Sequence, residues 1–185
     1  MPHSGAVAPP HPLAAVAVAT LAGLARPVPE GPGYSVLLVA HVAAAVVGFG
    51  ALATTGLQAA RARRGPGVPA AEGVRRYFRP GVNWPARTVY AVPVLGFALA
   101  ADSNGAVMIG DGWVVAGLLL WLAAAVAAEA VVWPGERRIQ AIVSAQWDDP
   151  AIRAELDRTC RQVTAASAVL VGVFVAAVVL MVAKP

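Results

Sequence analysis

The chain has 185 residues, of which 58% are hydrophobic and 13% charged, with a formal net charge of +4. A water-soluble domain carries about 45–50% apolar and about 25% charged residues, and a domain this small cannot hide so large an apolar excess from water. These values exclude an ordinary soluble globule and predict an all-α polytopic membrane protein, a four-transmembrane-helix bundle in contact with the lipid bilayer.

Residues 1–34 are rich in Ala, Pro and Gly. The apolar stretch from Leu13 to Ala25 is shorter than the roughly 20 residues a membrane helix needs. It has the length of a secretory-signal core, yet no Lys or Arg precedes it, so the readings are a cleaved signal, a short extra helix or a disordered tail. The run Arg26-Pro27-Val28-Pro29-Glu30-Gly31-Pro32-Gly33 stops any continuous helix, because Pro lacks the amide donor and Gly carries a large entropic cost. Residues 35–185 form the membrane domain.

Its first span covers about 34–58. Tyr34 stands at an interfacial position, His41 is the one ionisable residue inside, and Arg61, Arg63 and Arg64 follow. The second span, about 86–104, has a short apolar stretch from Thr88 to Ala101 and must borrow residues from Trp84 onward or toward Ile109. Pro93 followed by Gly96 predicts a kink there. The third span, about 113–133, has Trp113 and Trp133 as interfacial anchors, and Pro134-Gly135 predicts a break or sharp bend. Asp149-Pro150 is a helix start, with Asp as cap and Pro at the first position. Asp157 and Arg161, four apart, pair on one face. The fourth span then runs over about 163–183.

Charge sets the expected orientation. Arg61, Arg63, Arg64, Arg75, Arg76, Arg79 and Arg87 lie between spans one and two. Arg137, Arg138, Arg153, Arg158 and Arg161 lie between spans three and four. Together these are twelve of the fourteen Lys and Arg residues. The loop from Asp102 to Gly112 has none. The positive-inside rule therefore places both basic segments in the cytoplasm and both termini outside the inner (plasma) membrane. Basic residues arranged this way direct topology, with some reaching anionic headgroups, and give no sign of a nucleic-acid partner. The dominance of Ala, Val, Gly, Pro and Arg, with Lys184 the single lysine, suggests a high-GC bacterial genome.

An ionisable residue inside the membrane is a functional candidate by default. His41 ligates copper or haem b iron, relays protons, or packs against a backbone carbonyl. His3 and His11 lie in the tail, so a second ligand comes from one of them folding back, from another subunit, or from a methionine such as Met108 or Met181. Glu129 accepts protons, or it reaches the interface and pairs with Arg87 or Arg137. The depth of Glu129 excludes a direct contact with His41, and a relay between them has Thr54, Thr55 and Tyr90 as its polar candidates. Small residues four apart, such as Ala44 and Gly48, Ala123 and Ala127, or Ala168, Gly172 and Ala176, let helix backbones approach. The lone Cys160 forms no intrachain disulfide, and no P-loop, G-x-S-x-G, His-Glu-x-x-His or Cys-x-x-Cys motif occurs.

The segment Leu37-Leu38-Val39-Ala40-His41-Val42-Ala43-Ala44-Ala45-Val46-Val47-Gly48-Phe49-Gly50 resembles the first helix of DUF2269-type predicted integral membrane proteins, and Leu180-Met181-Val182-Ala183-Lys184-Pro185 resembles their end. That family has four helices and is similar, distantly, to copper-resistance CopD domains. The resemblance covers about residues 35–185 and implies no particular activity. Through the CopD likeness it implies copper or haem, with His41 the matching residue. The expected function is a non-enzymatic accessory or transport-related component, as a homo-oligomer or a subunit of a membrane complex. The alternatives are a CopD-like copper- or haem-binding protein using His41 and a membrane enzyme or proton-coupled carrier using Glu129.

Overall fold

A computed structural model describes residues 31–63, 68–144 and 149–183. Arg64 and the tail from Met1 to Glu30, with the question of its processing, lie outside them. Among the described residues the chain is all-α, 88% helical and without strands.

Helix α1, Pro32–Arg63, has 32 residues, about 48 Å at the helical rise, so its arginine end extends well past a hydrocarbon layer of about 30 Å. A short helix α2, Val68–Tyr77, follows at that end. Helix α3, Trp84–Arg87, is capped by Asn83, whose side chain accepts from Ala86 N. A 3₁₀ turn over Thr88–Tyr90 leads into α4, Ala91–Asp102. Pro93 falls in the first turn of α4, where a missing N–H leaves no bond unmade. The irregularity therefore sits before Pro93, in the 3₁₀ turn.

Helix α5, Gly112–Ala127, passes through a π-helical segment, Ala128–Val132, into α6, Trp133–Ser144. The three pieces form one continuous 33-residue helix. The predicted break at Pro134-Gly135 is thus corrected. Proline removes one donor and crowds the preceding turn, and the wider π segment just before it takes up that mismatch while the chain stays helical. Helix α7, Pro150–Ala183, starts where expected, with Asp149 Oδ1 accepting from Ala151 N at 2.8 Å. Among the described residues three helices are long and apolar enough to cross a membrane: α1, the α5–α6 helix and α7.

Helix α1 packs chiefly on α7 and then on α4, and α7 also covers α5 and α6. Glycine sets the closest approaches. A Cβ on Gly48 would lie 2.7 Å from Val89 N, and one on Gly56 would lie 2.4 Å from Ser167 Cβ. Ala44 carbonyl accepts from Thr88 Oγ1 at 3.2 Å, so the Ala44–Gly48 pair packs inside the bundle. Ala168, Gly172 and Ala176 instead face outward, and nothing lies within 4 Å of a Cβ on Gly172.

The buried core is off-centre. Leu52, Phe78, Val89, Val132, Trp133 and Ile139 belong to one cluster toward the arginine-rich end. Valines along α1 and α7, such as Val39, Val46, Val175 and Val179, face outward, as lipid-facing side chains must. Trp133 is 1% exposed, which corrects its reading as an interfacial anchor. Its ring lies beneath Arg87, with Cζ 3.5 Å from the ring centroid, and Tyr90 packs beside it at 5.7 Å between centroids. Trp84, 72% exposed, holds the outward position at this end.

Candidate functional site

Because the core is concentrated at the arginine-rich end, the opposite half of the bundle is loosely filled. A cavity of about 180 Å³ lies there between all four long helical runs. Its walls are almost wholly apolar, with Leu38 from α1, Val92, Gly96 and Phe97 from α4, and Trp113 and Trp121 from α5. Trp121 is held by its indole N–H, which donates to Val89 O at 2.9 Å.

His41 lies in this wall and is 8% exposed. Its Nδ1 is 2.9 Å from Val92 O. A carbonyl oxygen only accepts, so Nδ1 carries a proton, and in the neutral ring Nε2 keeps the lone pair. The neutral ring is thereby fixed in one tautomer and one orientation, as in histidines whose second nitrogen engages a ligand. Gly96 packs beside it, where a Cβ would stand 3.4 Å from His41 Cε1. Of the two methionines considered as partners, Met181 lines the same cavity, whereas Met108 is 53% exposed and does not. Among the described residues no three His, Cys, Asp or Glu side chains group as metal ligands.

Glu129 is not brought to His41. It sits in the π segment, where its carboxylate accepts from the Tyr90 hydroxyl and lies 3.6 Å from Arg87 NH1. Arg87 is thus the partner, not Arg137. The supposed relay also separates. Thr54 donates to Gly50 O at 2.8 Å, while Thr55 turns toward the arginine-rich end.

There Thr55 joins a cluster that sequence reasoning missed. Its hydroxyl is 2.7 Å from Tyr77 OH, and the Asn83 amide donates to Thr55 Oγ1 at 3.3 Å and to Glu136 Oε1 at 3.2 Å. Gln140 closes the far side by donating to Gly81 O at 3.3 Å. Glu136 is only 6% exposed. Burial raises the Tyr77 phenol above its usual pKa, against the opposing hydrogen bond to Thr55. The residues come from four separate elements, and only Glu136 stood out as charged, among adjacent arginines. The network ties the α2–α3 connection onto the bundle.

The other named arginines hold the end faces. Arg63 Nε donates to Asp157 Oδ1 at 2.9 Å, and Arg161 pairs with the same carboxylate. Arg138 pairs with Glu155. Arg61, Arg75, Arg76, Arg79 and Arg137 lie at the same end, all exposed.

No curated protein and no solved structure matches this chain. A family model does, over residues 35–185, and it takes in all the long helices and the His41 cavity; the chain belongs to the DUF2269 family of predicted integral membrane proteins.

Proposed function

We propose that this is a non-enzymatic four-span membrane protein that holds a small ligand in the His41 cavity, as a component of a transport system or membrane complex. The fourth span in this reading is the helical run from Trp84 to Asp102, about 30 Å long with its 3₁₀ turn included, which turns Val94 and Phe97 outward. Four spans put both arginine-rich segments in the cytoplasm and both termini outside the inner membrane. A reporter fused after Pro185 tests this, and a cytoplasmic reporter overturns it.

The observation that carries the ligand reading is the His41–Val92 hydrogen bond. It leaves Nε2 as an acceptor in an apolar wall. An engineered apolar cavity of roughly 150 Å³ takes up benzene, so the volume suits one aromatic ring. The lone pair selects a ring bearing one O–H donor, the phenol class. Titration of phenol against toluene, followed by the fluorescence of Trp113 and Trp121, tests it. Phenol binds more tightly to the wild type, and the preference disappears in His41→Ala. Equal affinity in both proteins overturns the assignment.

A second reading is copper(I) held by His41 Nε2 and Met181 Sδ, supported by their place in one cavity and by the preference of soft thioethers for that ion. A competition titration with a chromophoric chelator decides it: loss of bound copper in both His41→Ala and Met181→Leu supports it, and copper-free wild type removes it. Haem b does not fit. The cavity is smaller than the roughly 300 Å³ at which pockets for drug-sized molecules begin. Glu129, paired with Arg87 and Tyr90, is assigned an anchoring role rather than proton transfer.

A further inference from the structure

At the arginine-rich end a groove runs between the α5–α6 helix and α7. It consists of two adjoining hollows of about 640 and 510 Å³ that share Pro134, Arg138 and Glu155. The helices meet beneath it at Gly135, where a Cβ would lie 2.3 Å from Val163 Cγ2. The larger hollow has Ala130 and Val131 beside Arg158, the smaller has Arg137 beside Ala141, Ile142 and Ile152, and Arg138 belongs to both. Three guanidinium groups thus face a single carboxylate, Glu155. Arg138 is paired with it, while Arg137 and Arg158 form no ion pair among the described residues. Thr159 and Gln162 line the same wall.

We propose that this groove binds the phosphate of an anionic phospholipid, with its acyl chains against the exposed Ala130 and Val131. The order along the helices matches a lipid: Ala130, Val131 and Gln162 lie toward the bundle middle, and Arg137, Arg138 and Arg158 toward the end. Arginine supplies the forked donors that phosphate oxygens accept. A basic hollow between membrane helices gives a stoichiometric headgroup site, beyond the diffuse attraction of a charged surface. Glu155 acts against the anion by occupying Arg138, and this sets the site apart from a general accumulation of charge.

The test is native mass spectrometry of the full chain in mild detergent with phosphatidylglycerol or phosphatidylcholine of the same acyl chains. Retention of phosphatidylglycerol exceeds that of phosphatidylcholine, and Arg137→Gln and Arg158→Gln each reduce the preference about fivefold. Glu155→Gln increases it by releasing Arg138, a change that damage to the fold would not produce. Arg76→Gln, an equal loss of charge outside the groove, leaves it unchanged. Equal retention of the two lipids overturns the proposal, as does an Arg76→Gln effect as large as that of Arg158→Gln. Inorganic phosphate bound by lipid-free wild type and lost in Arg158→Gln would assign the site to a free anion instead.

Discussion

Two glycines, two residues apart on α1, make opposite predictions from one geometry. A Cβ on Gly48 would stand 2.7 Å from Val89 N, 3.0 Å from Val89 Cα and 3.1 Å from Thr88 Oγ1. Carbon contacts are optimal at about 3.5–4.0 Å, and the obstacle is backbone. It is held from two sides, by Trp121 bonded to Val89 O and by Thr88 bonded to Ala44 O. Gly48→Ala therefore pushes α1 away from the α3–α4 run, an overpacking that costs about 1–3 kcal/mol. A Cβ on Gly50 meets nothing within 4 Å, so Gly50→Ala gains the helical preference of alanine, about 0.5–1 kcal/mol. The two variants separate by roughly 1.5–4 kcal/mol. Thermal unfolding in one mild detergent, followed by tryptophan fluorescence, measures the gap at about 2–4 °C per kcal/mol for a chain of this size. Equal melting temperatures, or a less stable Gly50→Ala, would refute the packing argument.

Further expectations concern the arginine-rich end. Asn83→Ala removes the amide joining Thr55 to Glu136 as well as the cap of α3, and lowers stability by about 1–3 kcal/mol in the same melting assay. Burial raises the Tyr77 pKa in the folded state. The folded protein therefore holds that proton more tightly, and its contribution is complete below about pH 10, the unfolded value. It is lost as pH climbs from there through the folded pKa. Tyr77→Phe removes this dependence, and melting scans in the alkaline range show a flatter decline than wild type. Cys160 is 0% exposed, so a water-soluble maleimide labels it slowly in detergent and rapidly after denaturation. Fast labelling of the folded protein would contradict the packing of α7.

Much of the membrane architecture was legible in the sequence because lipid imposes simple rules. Apolar length located α1, α5 and α7, and Asp149-Pro150 marked the start of α7. Proline was read too strongly. Pro134 signals a break in isolation, but a π segment five residues long relieves it inside a packed helix. Trp133 looked like an interfacial anchor because periodicity locates tryptophan along a helix without saying which neighbour covers it; Arg87 does. His41 was legible as an isolated ionisable group. Its hydrogen bond to Val92 O was not, since 51 residues separate the two. The Thr55–Tyr77–Asn83–Glu136 network was hidden for the same reason, as it joins four elements through side chains unremarkable one by one.

The central claim is that His41 offers an unprotonated Nε2 to a ligand in the cavity, and the ¹⁵N spectrum of the histidine side chains reads it directly. The chain has three histidines, and His41→Gln identifies the resonances of His41. A protonated Nδ1 and a lone-pair Nε2 are expected in detergent, with phenol shifting Nε2 toward the hydrogen-bonded position and toluene leaving it in place. A protonated Nε2, or identical spectra with phenol and toluene at saturation, would contradict it.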